Sequence, residues 1–266
     1  MKVSGLFANN RADACCLCGS TQDLTGEHKV KASALKAEFG ADRMVIGRSD
    51  DSSAARSAQG PKSKAFHFAA RVCGVCNSTR TQPADLEFDR FNQTARQLLE
   101  DGRVPSDVFS DPRYIVGSEP YLNVFRYFAK LMCCHLADVG GPRPQPIANF
   151  AMGLTKANLI WLSVDEDWTY KRYSAVSGPQ QYAAHGGLVI YAKKRTGQPS
   201  GFHSTLTFGR VRYTFYFRML FVARRELRRK YPVFNDWCRA QGRLATATPL
   251  SQSELLMLGL VSDEAT

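Results

Sequence analysis

The sequence contains no long hydrophobic run. No segment of its 266 residues approaches the roughly 20 apolar residues that a helix needs to cross a bilayer, and the N-terminus has no apolar signal region. There is also no internal repeat, no glycine-rich phosphate loop and no Ser-His-Asp motif. These absences argue against a membrane protein, a repeat protein, a P-loop enzyme and a serine hydrolase. We expect a soluble, cytoplasmic protein, and a hydrophobic content of 44% supports a folded core.

Two cysteine pairs with two-residue spacing are the most informative feature. Cys15 and Cys18 form the first pair, and Cys73 and Cys76 form the second. Each short turn lets two sulfurs reach one metal, so together the pairs offer the four thiolates of a tetrahedral Zn²⁺ site. The first pair could also be drawn with Cys16, and disulfide formation is the alternative, which a chain without a secretory signal disfavours. The spacing predicts a structural zinc site.

Residues with catalytic potential lie beside these pairs. Glu27 and His28 are adjacent between the two pairs, and Asn77 directly follows the second pair. With these residues the chain resembles the HNH, or ββα-metal, endonucleases over roughly residues 14–95. The resemblance implies that Glu27 and Asn77 bind a catalytic divalent ion and that His28 is the general base.

The chemistry of phosphodiester cleavage explains these residue types. The reaction needs a water that loses a proton near neutral pH, and an imidazole with a pKa of about 6.5 can accept that proton. It also needs a cation to offset charge on the leaving oxygen. The oxygen atoms of Glu27 and Asn77 suit Mg²⁺ or Mn²⁺, whereas the thiolates suit zinc. Two different metals are therefore expected.

Two further polar residues are candidates for the same site. The family places an Asn shortly before the second cysteine pair to orient the base, and His67 is the polar residue with suitable reach there. A strand with one solvent-exposed face explains a histidine at position 67 at least as well. Arg80 could hold a phosphate through its bidentate guanidinium, or it could pair with Asp85 or Asp89 on the following helix.

Length and composition predict two domains and an α+β fold class. Residues 1–100 would form an HNH-like zinc domain, in which residues 40–64, rich in Ser, Ala, Gly and Asp, are an exposed loop inserted into a β-hairpin. Residues 101–266 would form a basic α+β domain with an antiparallel sheet, which positions substrate or senses a partner.

Periodicity predicts the elements of the second domain. Apolar residues at helical spacing favour an amphipathic helix from Tyr121 to Val139, on which Cys133, Cys134 and His135 are interpreted as core residues rather than metal ligands. A basic helix is predicted over residues 224–230. Strands are predicted at residues 159–164, 187–192, 204–208 and 210–218, and a short capped helix at 251–258.

The last of these strands has a basic and aromatic face, formed by Arg210, Arg212, Thr214, Tyr216 and Arg218. The arginines are predicted to bind phosphates of a substrate, and the tyrosine could stack on a base. A sheet with one buried face and one wet face explains the same alternation.

Positive charge is concentrated in the second half of the chain. The net charge is +11, residues 101–266 carry most of it, and Glu226 is the only acidic residue between Lys193 and Lys230. Such a field attracts polyanions and makes their binding sensitive to salt. Nucleic acid is therefore the expected partner, DNA rather than RNA, although a solvated basic surface is the alternative.

Three functions remain open at this point. The first is a metal-dependent HNH-type endonuclease that hydrolyses DNA. The second is a non-catalytic, zinc-containing nucleic-acid-binding module that keeps the cysteine pairs without cleavage. The third is a protein-interaction scaffold whose basic half binds an acidic partner.

Overall fold

Short antiparallel strands and longer helices make up the fold in this computed structural model, which describes residues 5–40, 44–48, 51–58, 60–177, 181–193 and 196–247. The strands are β1 Phe7–Ala8, β2 Leu24–His28, β3 Met44–Arg48, β4 Asp51–Ala58, β5 His67–Cys73, β6 Arg143–Pro144, β7 Ile160–Glu166, β8 Ala183–His185, β9 Val189–Ala192, β10 Pro199–Phe208 and β11 Val211–Arg218. The helices are α1 Ala32–Phe39, α2 Gln82–Glu100, α3 Glu119–Asp138, α4 Gln145–Ala151, α5 Trp168–Ser177, α6 Phe221–Lys230 and α7 Pro232–Ala247. The predicted α+β class is confirmed, and the helix predicted over residues 251–258 lies outside the described residues.

The N-terminal part is organised around an antiparallel hairpin of β2 and β5. Leu24 is opposite Cys73 and His28 is opposite His67, with an irregularity in register between Gly26 and His28. Alternate residues of β5 are buried, as a strand with one wet face requires. Helix α2 begins soon after β5.

The segment between β2 and β5 contains α1 and a second hairpin of β3 and β4. Within the predicted inserted loop of residues 40–64, residues 44–58 therefore carry two paired strands. Backbone hydrogen bonds hold β3 and β4 together, and such bonds do not require the large apolar side chains whose scarcity suggested a loop.

The second half contains an antiparallel sheet with the order β7, β11, β10 and β8, in which β9 also pairs with β10. Val211, Tyr213, Phe215 and Phe217 are buried on one face of β11, as the alternation predicts. Strand β8 is not among the predicted strands, and β10 begins at Pro199, earlier than predicted. Pro199 and Gly201 lie at the start of β10, and both residue types are typical of turns, so the sequence pattern placed a turn there.

Helix α3 lies between the hairpin and the sheet. Lys130 contacts β2, whereas Phe128 packs on Phe215 of the sheet, and residues two apart on a helix point in opposite directions. The rings of His135 and Phe68, on β5, are 4.9 Å apart, and His135 Nε2 is 3.1 Å from Ser204 Oγ, on β10. Most residues of α3 are buried. The hairpin, the helix and the sheet therefore share one apolar cluster, which contains residues from both sides of the domain boundary predicted at residue 100.

Local signals explain the limits of α3. The side chain of Ser118 accepts a hydrogen bond from the backbone N–H of Tyr121, which caps the first turn. At the other end Gly140 has a φ of +71°, a left-handed conformation, and the N–H of Gly141 is donated to the carbonyl of Leu136. In the ranges that the structure describes, no helix combines the length and the apolar character needed to span a bilayer.

Candidate functional site

Pairing of β2 with β5 brings the two cysteine pairs together. The first pair precedes β2, and the second begins at the end of β5. Four sulfur atoms lie within 4.8 Å of one another, those of Cys15, Cys18, Cys73 and Cys76. Cys18 Sγ is 3.6 Å from Cys73 Sγ, and all eight cysteines are free of disulfide bonds. The four cysteines can therefore hold a metal ion such as Zn²⁺.

Backbone geometry in the first pair favours thiolates. The N–H groups of Cys18 and Ser20 are donated to Cys15 Sγ and Cys18 Sγ respectively, each at 3.5 Å. Gly19 has a φ of +82°, which glycine adopts without strain, and a Cβ atom there would collide with the guanidinium of Arg143. Hydrogen-bond donors and a nearby cation stabilise negatively charged sulfur, the form that binds zinc.

The second pair is supported by Arg80, which ends a π-helical turn after β5. Arg80 Nη1 lies 3.8 Å from Cys76 Sγ and 3.4 Å from Met152 Sδ. Arg80 thus contacts sulfur atoms, and this differs from both the phosphate contact and the ion pair predicted for it. A hydrogen bond joins the thiols of Cys15 and Cys76. This bond lowers the pKa of Cys15 to about 4 and raises the pKa of Cys76. The cluster already favours one thiolate.

Three other cysteines near the cluster belong to the core. Cys16 Sγ is 3.6 Å from Cys134 Sγ, and Cys16, Cys133 and Cys134 are all buried. The first pair of the cluster is therefore Cys15 with Cys18, and the cysteines of α3 pack as small hydrophobic residues, as predicted.

Glu27 points toward α3 and forms a buried ion pair. Lys130 Nζ is 3.0 Å from Glu27 Oε1 and 2.6 Å from Asp85 Oδ1, and the lysine side chain is only 1% exposed. Lys31 adds a second cation, with its Nζ 2.6 Å from Asp89 Oδ2 and a hydrogen bond to the backbone carbonyl of Asp85. Glu27 thus joins the hairpin to both α2 and α3.

The protonation of Lys130 follows from these contacts. Burial alone would lower the pKa of Lys130, but the carboxylates of Glu27 and Asp85 raise it above its usual value. Burial also raises the pKa of Asp85, although Lys130 opposes that shift. The ammonium lies between the two carboxylates and contacts Glu27 at Oε1.

His28 and His67 form a pair on the hairpin. Their ring centroids are 3.9 Å apart with a 50° tilt, and both Nε2 atoms are buried with no hydrogen-bond partner in the described structure. Burial, with smaller contributions from His67 and Lys130, lowers the pKa of His28 to about 4. Gly26 is needed beside them, because a Cβ atom there would lie 2.5 Å from His67 Nδ1.

Asn77 contacts β2 through the side chain of Thr25. Its Nδ2 is donated to Thr25 Oγ1 at 3.2 Å, and that hydroxyl is donated to the carbonyl of Val72. Among the hydrogen bonds and ion pairs of the described residues, none joins Asn77 to Glu27 or His28. Among the described residues, the cysteine group is also the only cluster of three or more His, Cys, Asp or Glu side chains that could hold a metal. No described contact joins Glu27 and Asn77, the two residues predicted to hold Mg²⁺ or Mn²⁺.

The three arginines predicted to bind substrate lie on the sheet, across α3 from the hairpin. Arg210 Nη2 is 2.7 Å from Glu166 Oε1, and the Arg212 guanidinium lies 6.0 Å from the ring centre of Trp168. Arg218 is exposed and has no carboxylate partner within the described ranges. Of these three arginines, Arg212 and Arg218 therefore have no carboxylate partner in the part of the chain that the structure describes.

Lys130 is the site residue that the sequence did not reveal. In the sequence it is a single lysine within an apolar helical segment, and such a lysine is ordinarily placed on the solvent-exposed edge of the helix. No family model matches the chain, no curated protein matches it and no solved structure matches it.

Proposed function

We propose that this chain is a zinc-stapled nucleic-acid-binding protein with an HNH-like hairpin, and that it does not use a divalent ion at Glu27. The observation that carries the second part is the position of Lys130 Nζ, in contact with both Glu27 and Asp85. The first part is supported by the resemblance of the hairpin region, by the cysteine cluster and by the net charge of +11.

The energetics disfavour replacement of Lys130 by a divalent ion. An ion at Glu27 Oε1 would have to displace the ammonium, and the side chain of Lys130 is surrounded by protein. Leaving one member of a buried ion pair without its partner costs about 3 to 5 kcal/mol. A weakly held ion such as Mg²⁺, which loses its water reluctantly, does not offset that cost easily.

A second candidate function is the HNH-type endonuclease itself. The observation that favours it is the His28 and His67 pair, whose Nε2 atoms have no partner and could accept a proton. His67 would then take the orienting role of the family's Asn. This candidate requires Glu27 and Asn77 to come together after Lys130 leaves Glu27.

One experiment separates these candidates. Zinc-loaded protein is mixed with plasmid, duplex and single-stranded substrates, with and without Mg²⁺ or Mn²⁺, beside His28→Ala. We expect binding that weakens steeply as salt is raised and no cleavage by either protein. Metal-dependent cleavage that disappears in His28→Ala would establish the nuclease instead. Failure to bind DNA or RNA at low salt would overturn the proposal and favour a protein-interaction scaffold.

A further inference from the structure

A row of aromatic side chains crosses the outer face of the sheet, the face that points away from α3. The strand register places Trp161 opposite Tyr216, and Tyr216 opposite His203. Tyr191 joins them from β9, with its ring centroid 4.7 Å from that of His203 and 6.0 Å from that of Tyr216. We call these four residues the aromatic face.

The aromatic face is accessible. Trp161 is 65% exposed and Tyr191 is 40% exposed, whereas Ile160, which precedes Trp161 on the inner side of β7, is buried. Tyr216 and His203 are partly buried, and the buried Nδ1 atom of His203 has no hydrogen-bond partner in the described structure. Among the described helices, α2 and α3 pack on the other side of the sheet and do not cover these rings. Contiguous exposed aromatic surface of this kind is typical of a binding site.

A cleft continues the aromatic face at the β7 edge. Its volume is about 850 Å³, and Trp161 and Arg218 are among the residues that line it. Four further rings line it, those of Phe109, Tyr114, Tyr121 and Phe125. Clefts of this size and composition hold flat apolar groups as large as a nucleobase.

Unpaired positive charge lies next to these rings. Arg218 ends β11 directly beside the cleft, and α6 begins three residues later. Arg225, Arg228 and Arg229 are exposed on α6, and none of them forms an ion pair within the described ranges. An acidic residue, Asp165, lies on the outer face at the opposite end of β7. Arg218 lines the cleft, and the arginines of α6 follow it in the chain.

We propose that the aromatic face and the adjoining cleft bind an unpaired strand of nucleic acid. Bases stack on Trp161 and Tyr216, one base enters the cleft, and phosphates contact Arg218 and the arginines of α6. Every base has a flat π surface, so such stacking tolerates any sequence. A duplex hides those surfaces inside its own stack, and the single strand is therefore preferred. This inference rests on the proposed function, since it names the substrate class of the same protein.

The test measures binding by fluorescence anisotropy, with the full zinc-loaded chain in buffer without Mg²⁺. The probes are an oligo-dT single strand of 20 nucleotides and a duplex of the same length. We expect the single strand to bind about 10-fold or more tightly, and Trp161→Ala and Tyr216→Ala each to lose about 10-fold for the single strand. Trp161→Phe keeps a ring and retains most of the affinity. Leu86→Ala, at an exposed residue of α2, is the matched control and binds normally.

Two readouts distinguish stacking from a structural or purely electrostatic role. Stacking quenches the fluorescence of Trp161, so Trp161→Phe removes most of the quenching that the strand causes. Arg218→Ala lowers the slope of log affinity against log salt by about one, because one phosphate contact is lost. Thermal unfolding of each variant shows that the fold is retained.

The outcomes separate this inference from the proposed function. Equal affinity for duplex and single strand, or normal strand binding by the folded Trp161→Ala and Tyr216→Ala variants, would overturn the inference and leave nucleic-acid binding intact. Equal affinity for poly-glutamate would also overturn it and point to an acidic protein partner. If the wild-type chain bound no nucleic acid, the proposed function would fail together with it.

Discussion

The hairpin and the sheet lie on opposite sides of α3 but are held to it by different interactions. On the hairpin side, α3 contributes the ammonium of Lys130, which binds a carboxylate of β2. On the sheet side, α3 contributes Phe128, which packs among Tyr213 and Phe215. Apolar packing joins α3 to both, but the small hairpin has in addition a buried ion pair and a cysteine cluster that can hold a metal.

Removal of the metal should have the largest effect, and it should be confined to the hairpin. Structural zinc contributes on the order of 10 kcal/mol in small domains, because the site does not exist without folding. We expect Cys73→Ser, or a strong chelator, to make the amides of β2 and β5 exchange rapidly while those of β10 and β11 stay protected. Hydrogen exchange with mass spectrometry measures this.

Cys16→Ala is the matched control for the loss of a cysteine, since Cys16 lies beside the cluster but outside it. It should retain one zinc per chain. If Cys73→Ser lost amide protection in the sheet as well as in the hairpin, the two regions would not differ in their dependence on the metal.

Replacement of Lys130 by methionine should have the next largest effect. Lys130→Met leaves Glu27 and Asp85 buried without a cation, and we expect a loss of about 3 to 5 kcal/mol in the free energy of unfolding. Urea denaturation measures the loss.

The triple variant Lys130→Met, Glu27→Gln, Asp85→Asn removes the stranded charges and should recover part of that stability. Full stability of the single variant would show that the buried ion pair does not hold the hairpin to α3.

Acid should weaken the junction of hairpin, helix and sheet through His135. Burial, aided by His185 and Lys29, lowers the pKa of His135 to about 3, whereas an unfolded histidine titrates near 6.5. Below about pH 6.5 the unfolded chain binds a proton that the folded chain does not, so the stabilisation present at neutral pH is lost progressively toward pH 3. We expect His135→Gln to flatten this dependence in urea denaturation between pH 7 and 5. If the slope of the free energy of unfolding against pH were the same in His135→Gln, His135 would not contribute to the loss of stability in acid.

The smallest effect should come from one hydroxyl on the sheet side. Tyr213 Oη is donated to Asn92 Oδ1 at 2.9 Å in the core. Tyr213→Phe leaves that oxygen without its donor, and we expect a loss of about 1 to 2 kcal/mol with no change in metal content. Calorimetric unfolding measures it, and a loss as large as that of Lys130→Met would remove the difference between the two sides.

Much of this molecule could be predicted from sequence where the signal is local. The cysteine spacing, the apolar period of α3 and the alternation of β11 each depend on residues close together in the chain. Lys130 and Glu27 meet across about 100 residues, and the row from Trp161 to His203 depends on strand register, so neither was visible. The β3–β4 hairpin was missed because its small residues carry no apolar period. The boundary at residue 100 and the roles of His28 and Asn77 stay predictions.

The position of Lys130 between Glu27 and Asp85 is the central claim, and a titration with Mn²⁺ tests it most directly. Electron paramagnetic resonance distinguishes bound from aqueous Mn²⁺ in zinc-loaded protein. The account predicts that Mn²⁺ stays aqueous at stoichiometric concentration for the wild-type chain and for Glu27→Gln alike. One tightly bound Mn²⁺ per wild-type chain, lost in Glu27→Gln, would contradict it and restore Glu27 as a ligand of a catalytic ion.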